Sequence, residues 1–323
     1  MSVLHFIHQA SGGSRKYIED LMYLTGKKHT LYHGQDKPLV FEKDLSMIHV
    51  HSFFPYQELG WNCMQILRYL KHFYPSLKIF VTIHDYYWLF TSSNSDEDLA
   101  TQGFMSEHCT VLNHKPDAYL CFCTWDLFKM ADKVIMPSQS VYNNYKMFMG
   151  PGYFDSCPIE IVPHCDMNIR YEQLCIPLFK EKVNVAVIGK KGREVYQLIT
   201  EKLPSDVPVK FMEYPTYKDE ELTETLHRDN IHIILWPSRL EETYCYALTR
   251  LINSGIPIVY IRRGAFADRL SYGCRFFGTT SVSNIILTLY DAIKFVINNQ
   301  GKTDYVQVDE TVKLNDWYRQ NYV

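Results

Sequence analysis

Between positions 231 and 236 the chain reads Ile-His-Ile-Ile-Leu-Trp. A run this apolar with so little alternation describes a strand buried on both faces, as in a parallel sheet covered by helices. Pro237-Ser238 ends it. A polar turn, Arg239-Leu240-Glu241-Glu242-Thr243, leads into a stretch expected to be helical over 244–252. Gly255 is a helix stop, and Pro257-Ile258-Val259-Tyr260-Ile261 reads as the next buried strand. Parallel neighbours need a crossover, and a helix of this length supplies one. The unit therefore commits the chain to a layered α/β architecture.

The chemistry of this unit lies in its first turn. Thr243 is placed to cap the helix through its hydroxyl. The backbone N–H groups of Tyr244, Cys245 and Tyr246 would then point out of the helix end, where they suit a phosphate. Glu241 and Glu242 stand just before that end. A carboxylate beside an anion site makes sense when the ligand carries hydroxyls next to its phosphate, because it accepts their hydrogen bonds.

Two segments here resemble one family. They are Pro237-Ser238-x-x-x-Glu242-Thr243-Tyr244-Cys245-Tyr246-x-Leu248 and Gly255-Ile256-Pro257-Ile258-Val259 followed by Gly264-Ala265-Phe266-Ala267-Asp268-Arg269. Both are similar to the donor-binding motif of the retaining, nucleotide-sugar-dependent glycosyltransferases of the GT-B fold, glycosyltransferase family 4. The resemblance implies that Glu242 binds the donor sugar and that Ser238, Thr243, Tyr244, Cys245 and Tyr246 line the donor site. The family motif has a second glutamate eight positions after the first, which holds the nucleotide ribose. Here that position is Arg250. Arginine has donors and no acceptor, so we expect it to contact the nucleotide in a different way.

Length and charge bound the rest. A chain of 323 residues suggests two domains. A net charge of −3 argues against a nucleic-acid binder. No apolar run approaches the ~20 residues that span a bilayer. The opening, MSVLHFIHQASGGS, is too short and polar for a signal peptide and reads as strand and loop. Nine cysteines without a secretory signal suggest reduced thiols and a cytoplasmic setting. The spacing of Cys109, Cys121 and Cys123 fits no standard zinc pattern.

Along the first half, residues 3–8 read as a strand, then a loop with Gly12-Gly13, then a helix over 15–24. Gly-x-Gly-x-x-Gly is absent, which disfavours a nicotinamide dehydrogenase. Glycines in such a loop let a ligand approach the backbone. A strand is expected over 45–52 and a helix over 59–73. The basic face of that helix, with Arg68, Lys71 and His72, reads as solvated, with a weak membrane-surface contact as the lesser reading. The next strand, over 78–84, ends at His84-Asp85-Tyr86. Ligands in open α/β sheets sit at the C-terminal ends of strands. The resemblance places this histidine near the reacting sugar, with Asp85 and Tyr86 on the acceptor side. Residues 91–118 read as a long polar loop and 125–130 as helix. Pro137-Ser138 and Pro163-His164 close strands over 131–138 and 159–164, and both resemble the family. Residues 166–182 read as a linker.

The second half opens with a buried strand over 183–189. Lys190-Lys191-Gly192-Arg193 and a helix over 194–203 follow. A basic, glycine-containing turn between strand and helix is an anion cradle. In the family this turn contributes the lysine that contacts the donor diphosphate, and Lys191 is its match, with Arg193 beside it. A strand over 208–214, a short helix over 222–227, a strand near 274–277, a helix over 283–298 and a helical tail over 311–322 complete the chain.

The resemblance implies two Rossmann-like domains facing across a cleft. Residues 1–165 would form the acceptor domain, with a C-terminal helix of about 306–323 returning to it. Residues 166–305 would bind the nucleotide sugar. The implied reaction is retaining sugar transfer from a UDP, GDP or TDP sugar to a glycan or glycoconjugate hydroxyl. His84 and Glu242 are the catalytic candidates, and Gly12, Gly13, Lys191, Arg193 and Arg250 are further donor contacts. With no Asp-x-Asp to bridge a metal and diphosphate, no metal or cofactor is expected. Two other classes fit the same residues: a sugar-nucleotide epimerase, which needs no acceptor, and a sugar-nucleotide-binding protein without turnover.

Overall fold

The computed structural model describes residues 2–7, 12–32, 44–52, 58–84, 86, 88–89, 118–166, 172–178, 181–189, 192–238, 242–270, 275–306 and 310–322. They fall into two compact units. The first takes the described residues up to 166 together with 312–322, and the second takes those between.

The first unit is built on β1 (Ser2–Ile7), β2 (Lys28–Tyr32), β3 (Leu45–Ser52), β4 (Lys78–Thr82), β5 (Lys133–Met136) and β6 (Ile159–Ile161). They form one sheet in the order β2-β1-β3-β4-β5-β6, parallel throughout. The helices are α1 (Gly12–Thr25), α2 (Glu58–Phe73), α3 (Ala118–Met130), α4 (Gln139–Met149) and α5 (Pro151–Phe154).

Strand alternation sends successive residues to opposite faces. One face carries Leu4, Phe6, Ile48, Val50, Ile79, Val81, Val134 and Met136, packed with Leu67 and Leu70 of α2, Phe128 of α3 and Tyr145 of α4. Burial of each such side chain is worth roughly 1.5–3 kcal/mol. The other face carries His5, His49, His51 and Thr82, all fully buried. It meets the ring of Tyr17 from α1.

The second unit contains β8 (Val183–Ile188), β9 (Val209–Tyr214), β10 (Ile233–Trp236), β11 (Ile258–Ile261) and β12 (Phe276–Thr279), preceded by β7 (Glu172–Cys175). The five-stranded sheet has the order β12-β11-β10-β8-β9 and is parallel throughout. Its helices are α6 (Arg193–Lys202), α7 (Leu222–Arg228), α8 (Tyr246–Asn253), α9 (Gly264–Arg269) and α10 (Ile285–Asn299). Val185, Val187, Ile233, Leu235 and Val259 pack with α6 and α10 on one face. Ala186, Ile188, Ile234, Trp236 and Ile258 pack with α7 and α8 on the other. β13 (Thr303–Val306) pairs antiparallel with β7. The last helix is α11 (Glu310–Asn321). Tyr318 in its last turn and Tyr322 just beyond its end are buried in the first unit: Tyr318 donates to the Pro163 carbonyl at 2.9 Å, and Tyr322 meets His49.

The two sheets share one winding. In each, the first strand lies between the second and the third. Connections therefore leave in opposite directions between β1 and β3, and again between β8 and β10. Such a switch point opens a crevice at the strand ends, where α/β proteins bind ligands.

Several expectations need correction. Gly12 and Gly13 open α1, where a loop was expected. The expected linker contains β7. The helix expected over 125–130 begins at Ala118. Three elements, β2, β13 and α4, carry no clear pattern. β2 is an edge strand of mixed exposure. α4 is rich in asparagine, a weak helix former. Its start is set by Ser138, whose hydroxyl accepts from Val141 N–H.

Candidate functional site

The switch point of the second sheet brings two turns into contact. After β8 the backbone passes Gly192, with φ +92°, and enters α6 at Arg193. A β-carbon at Gly192 would lie 2.5 Å from both the carbonyl carbon and oxygen of Pro237, and 2.8 Å from Ser238 N. Glycine is required there twice over, by its φ and by this close approach. The start of α6 thus lies directly against the turn that follows β10. Arg193 is exposed and Ser238 is buried. Lys191 lies outside the described residues, as do Lys190 and Glu241.

The turn before α8 differs from the expected one. The helix begins at Tyr246, two residues late, and its N-cap is Cys245 in place of Thr243. Cys245 has φ +63° and ψ +92°, and no side chain caps the helix. A positive φ is costly for a residue with a β-carbon. Arg269 of α9 holds it in place. Its Nη1 donates to the carbonyls of Tyr244 at 3.1 Å and Cys245 at 2.9 Å, and its Nη2 to Thr249 Oγ1 at 2.7 Å. The guanidinium also lies 4.3 Å from the centroid of the Tyr244 ring. Ala265 N–H donates to the Glu242 carbonyl at 2.7 Å. Thr243 and Tyr244 are buried, while Glu242, Cys245 and Tyr246 are half-buried. Arg250 falls four residues into α8, a single turn from its start. Its guanidinium makes no hydrogen bond or ion pair among the described residues.

In the first unit His84 stands just past the end of β4. It is half-buried, and its Nε2 lies 3.0 Å from His51 Nδ1. Its ring is 4.6 Å from that of His164 and 5.2 Å from that of Tyr17. Burial, with His164 beside it, pushes its pKa well below the ordinary imidazole value, so it is a neutral ring. Asp85 lies outside the described residues. Tyr86 belongs to the apolar core, stacked on Tyr145 and accepting from Asn144 Nδ2 at 2.9 Å, so packing accounts for it. Gly13 is exposed in the first turn of α1, and Gly12 precedes it.

Two groups escaped the sequence reading. One is Arg269 as the clamp on the Cys245 turn. The other is the histidine layer on the inner face of the first sheet. His5, His49 and His51 are all held neutral, chiefly by burial. Their signal in the sequence is the same-face spacing of His49 and His51.

No protein-family model matches the chain, and no curated protein matches it in sequence. Solved structures match its fold along its whole length. Together with the two wound parallel sheets, they define the GT-B glycosyltransferase fold. Anabaena HepE, solved in complex with UDP and glucose, superposes with a TM-score of 0.57 at 11% identity, over 100% of this chain and 99% of its own. The lipopolysaccharide outer core galactosyltransferase WaaB superposes with a TM-score of 0.51 at 10% identity, over 100% of both chains. A glycosyltransferase from Rickettsia africae ESF-5 gives 0.52 at 11%, over 99% and 92%.

Proposed function

We propose that this protein is a glycosyltransferase that moves a sugar from a nucleoside diphosphate sugar to a hydroxyl acceptor, with retention at the anomeric carbon. The observation that carries this reading is the contact of Gly192 with Pro237 and Ser238 at the switch point. It sets the start of α6 against the turn that leads to α8. The N-termini of two helices thereby follow adjacent strands of one sheet. Helix starts favour anions, and a diphosphate has two phosphoryl groups to meet them.

The barrier to such a transfer is departure of the nucleoside diphosphate from a forming oxocarbenium ion. Charge placed in advance on the leaving group lowers it. The starts of α6 and α8, with Arg193 and Lys191, are the groups we assign to that task, and no metal is invoked. Glu242 accepts from hydroxyls of the donor sugar and holds the ring in position. Among the described residues the Arg250 guanidinium makes no hydrogen bond or ion pair, and we assign its donors to the ribose or the base. His84 serves the acceptor side. The UDP and glucose bound to HepE support a UDP sugar as the donor.

Binding is tested by thermal shift against UDP, GDP, TDP and ADP and their sugars. A ligand at a hundred times its Kd stabilises the fold by about 2.7 kcal/mol. Turnover is tested by NMR of the product anomeric centre with a panel of hydroxyl acceptors. Binding without product on any acceptor would reduce the protein to a sugar-nucleotide binder. Conversion of the donor sugar without acceptor would make it an epimerase.

A further inference from the structure

Four histidines cross the first sheet as a staircase: one each from β2, β1 and β3, and His84 from just past the end of β4. His29 of β2 is level with Val3 of β1, two positions before His5. His5 is level with His49 of β3, and His51 is two positions further on. Val50 is level with Val81 of β4, so His84 stands two positions beyond the level of His51. In a parallel sheet that spacing keeps all four on one face.

The rings join through both nitrogens at every inner step. His84 Nε2 is 3.0 Å from His51 Nδ1. His51 Nε2 is 2.7 Å from His5 Nδ1. His5 Nε2 is 2.6 Å from His29 Nδ1. His29 Nε2 then meets Thr25 Oγ1 at 2.9 Å. The two end rings are half-buried, and the two inner rings are fully buried.

Thr25 gives the row a direction. Its hydroxyl donates to the Leu21 carbonyl at 2.9 Å, an atom that only accepts. With its single hydrogen on that carbonyl, its oxygen accepts from His29, which then carries its proton on Nε2. His29 Nδ1 then accepts from His5 Nε2–H, His5 Nδ1 from His51 Nε2–H, and His51 Nδ1 from His84 Nε2–H. Every N–H of the row then has an acceptor, and each points away from His84 towards Thr25.

We propose that this row is a proton path between His84 and solvent at His29, and that it receives the proton the acceptor hydroxyl gives up. The second half of that statement rests on the transferase reading, and the first half does not. As the bond from the anomeric carbon to the diphosphate breaks and the nucleoside diphosphate departs, the acceptor oxygen bonds to that carbon, its O–H bond breaks and the proton joins His84 Nδ1. The Nε2 proton of His84 moves to His51 Nδ1, that of His51 to His5 Nδ1, and that of His5 to His29 Nδ1. His29, at the half-buried end of the row, turns its Nε2 proton from Thr25 to solvent and releases it there. Each ring ends neutral with its proton on the other nitrogen. Passage of one proton in the opposite sense, from water at His29 to water at His84 after the product leaves, restores the starting order. Burial disfavours a charged imidazole at every step, so the shift is concerted and leaves no buried cation.

A metal ion is the competing occupant, because ligand nitrogens of His5, His49 and His51 lie within 4.8 Å of one another. The distances favour hydrogen bonds. Two imidazoles on one tetrahedral zinc, each at about 2.0–2.1 Å, place their nitrogens about 3.3 Å apart. His5 and His51 are at 2.7 Å. Both nitrogens of His49 already meet hydroxyls, Thr82 at 2.7 Å and Tyr322 at 2.8 Å.

The path is tested by nitrogen-15 NMR of the histidine side chains in the full chain, without substrate. All four rings are expected as Nε2–H tautomers, with scalar coupling across the three N–H···N bonds. Thr25→Val, a near-isosteric change at a half-buried position, removes the group that sets the direction. It should bring Nδ1–H signal to His84, four bonds along the row. An unchanged His84 tautomer in Thr25→Val, or tautomers that do not run in series, would overturn the path. So would purified protein carrying zinc whose removal by chelation creates the N–H···N couplings. In turnover, Thr25→Val and His5→Gln should lower kcat several-fold and enlarge the solvent deuterium isotope effect, with KM for the donor unchanged. Unchanged kcat in both would overturn the catalytic role even where the NMR supports the path. Absence of product from the unaltered protein with every donor and acceptor would count against the transferase reading instead.

Discussion

The hydroxyl of Tyr322 lies 2.8 Å from Nδ1 of His49, a contact across 273 positions of sequence. Both groups are fully buried. The bond fastens the residue that follows α11 to the centre of the first sheet. The other nitrogen of His49 meets Thr82 at 2.7 Å, so the ring is satisfied on both sides. Tyr322→Phe keeps the ring packing and removes one partner. A buried imidazole nitrogen left without a partner costs about 1–3 kcal/mol. Urea unfolding should show that loss with an unchanged m-value. A loss below a few tenths of a kcal/mol would mean that packing alone holds α11 in place.

The histidine layer makes stability depend on pH in a defined direction. His5, His49 and His51 have folded pKa values well below 6.5, with burial as the largest cause. Below pH 6.5 the unfolded chain therefore takes up protons that the folded one does not. Linkage then requires stability to fall as pH falls through that window and to be level above it. Between pH 8 and pH 5.5 each ring should remove about 1.4 kcal/mol. The hydroxyls of Tyr17, Tyr318 and Tyr322 and the thiol of Cys165 are pushed up by burial, so they stay neutral throughout. Urea midpoints at the two pH values measure the total. His49→Gln should shrink the difference by roughly the share of one ring. A flat profile between pH 8 and 5.5 would show that the layer takes up protons without unfolding.

Gly192→Ala tests the contact on which the proposed donor site depends. The added methyl meets the Pro237 carbonyl at 2.5 Å, and the backbone at that point has φ +92°. A residue with a β-carbon in this region costs about 1–2 kcal/mol before any clash is counted. The two turns must separate to admit it. We expect a lower melting temperature and at least a tenfold weaker affinity for the nucleoside diphosphate by calorimetry. A variant that melts lower yet binds as tightly would show that the spacing of the two turns does not matter to the ligand.

The strands and helices around β10, α8 and β11 were legible because burial on both faces leaves a long apolar run, and Gly255 and the prolines punctuate it. The histidine layer was not legible. In Leu45–Ser52 the histidines fall on the polar side of a clean alternation, and that pattern ordinarily means a solvated face. Here the polar face is covered by Tyr17 of α1 and by Tyr322 at the far end of the sequence, and no local pattern reports either partner. The start of α8 was misplaced for a related reason. Thr243 is a good cap by local chemistry, but Arg269 binds the carbonyls of Tyr244 and Cys245 and fixes a different turn.

That clamp yields the last prediction. Cys245 holds φ +63° without being glycine, a conformation that persists only when its surroundings impose it. Arg269 supplies three hydrogen bonds to the turn and to Thr249, and it stacks on Tyr244. Arg269→Ala removes all of these and should cost about 2–4 kcal/mol. Arg269→Lys keeps the charge but loses the planar fork, so most of that loss should remain. If the clamp works by holding a strained turn, the strain and the clamp are coupled. Cys245→Gly relieves the strain, and Arg269→Ala should then cost less in the glycine background by about 1 kcal/mol. The double-mutant cycle, read by urea unfolding, separates this from simple packing. Equal costs of Arg269→Ala in the two backgrounds would mean that the arginine packs against the turn without enforcing it. In that case the start of α8 would be set by the turn itself, and the affinity for a nucleoside diphosphate should survive the loss of Arg269.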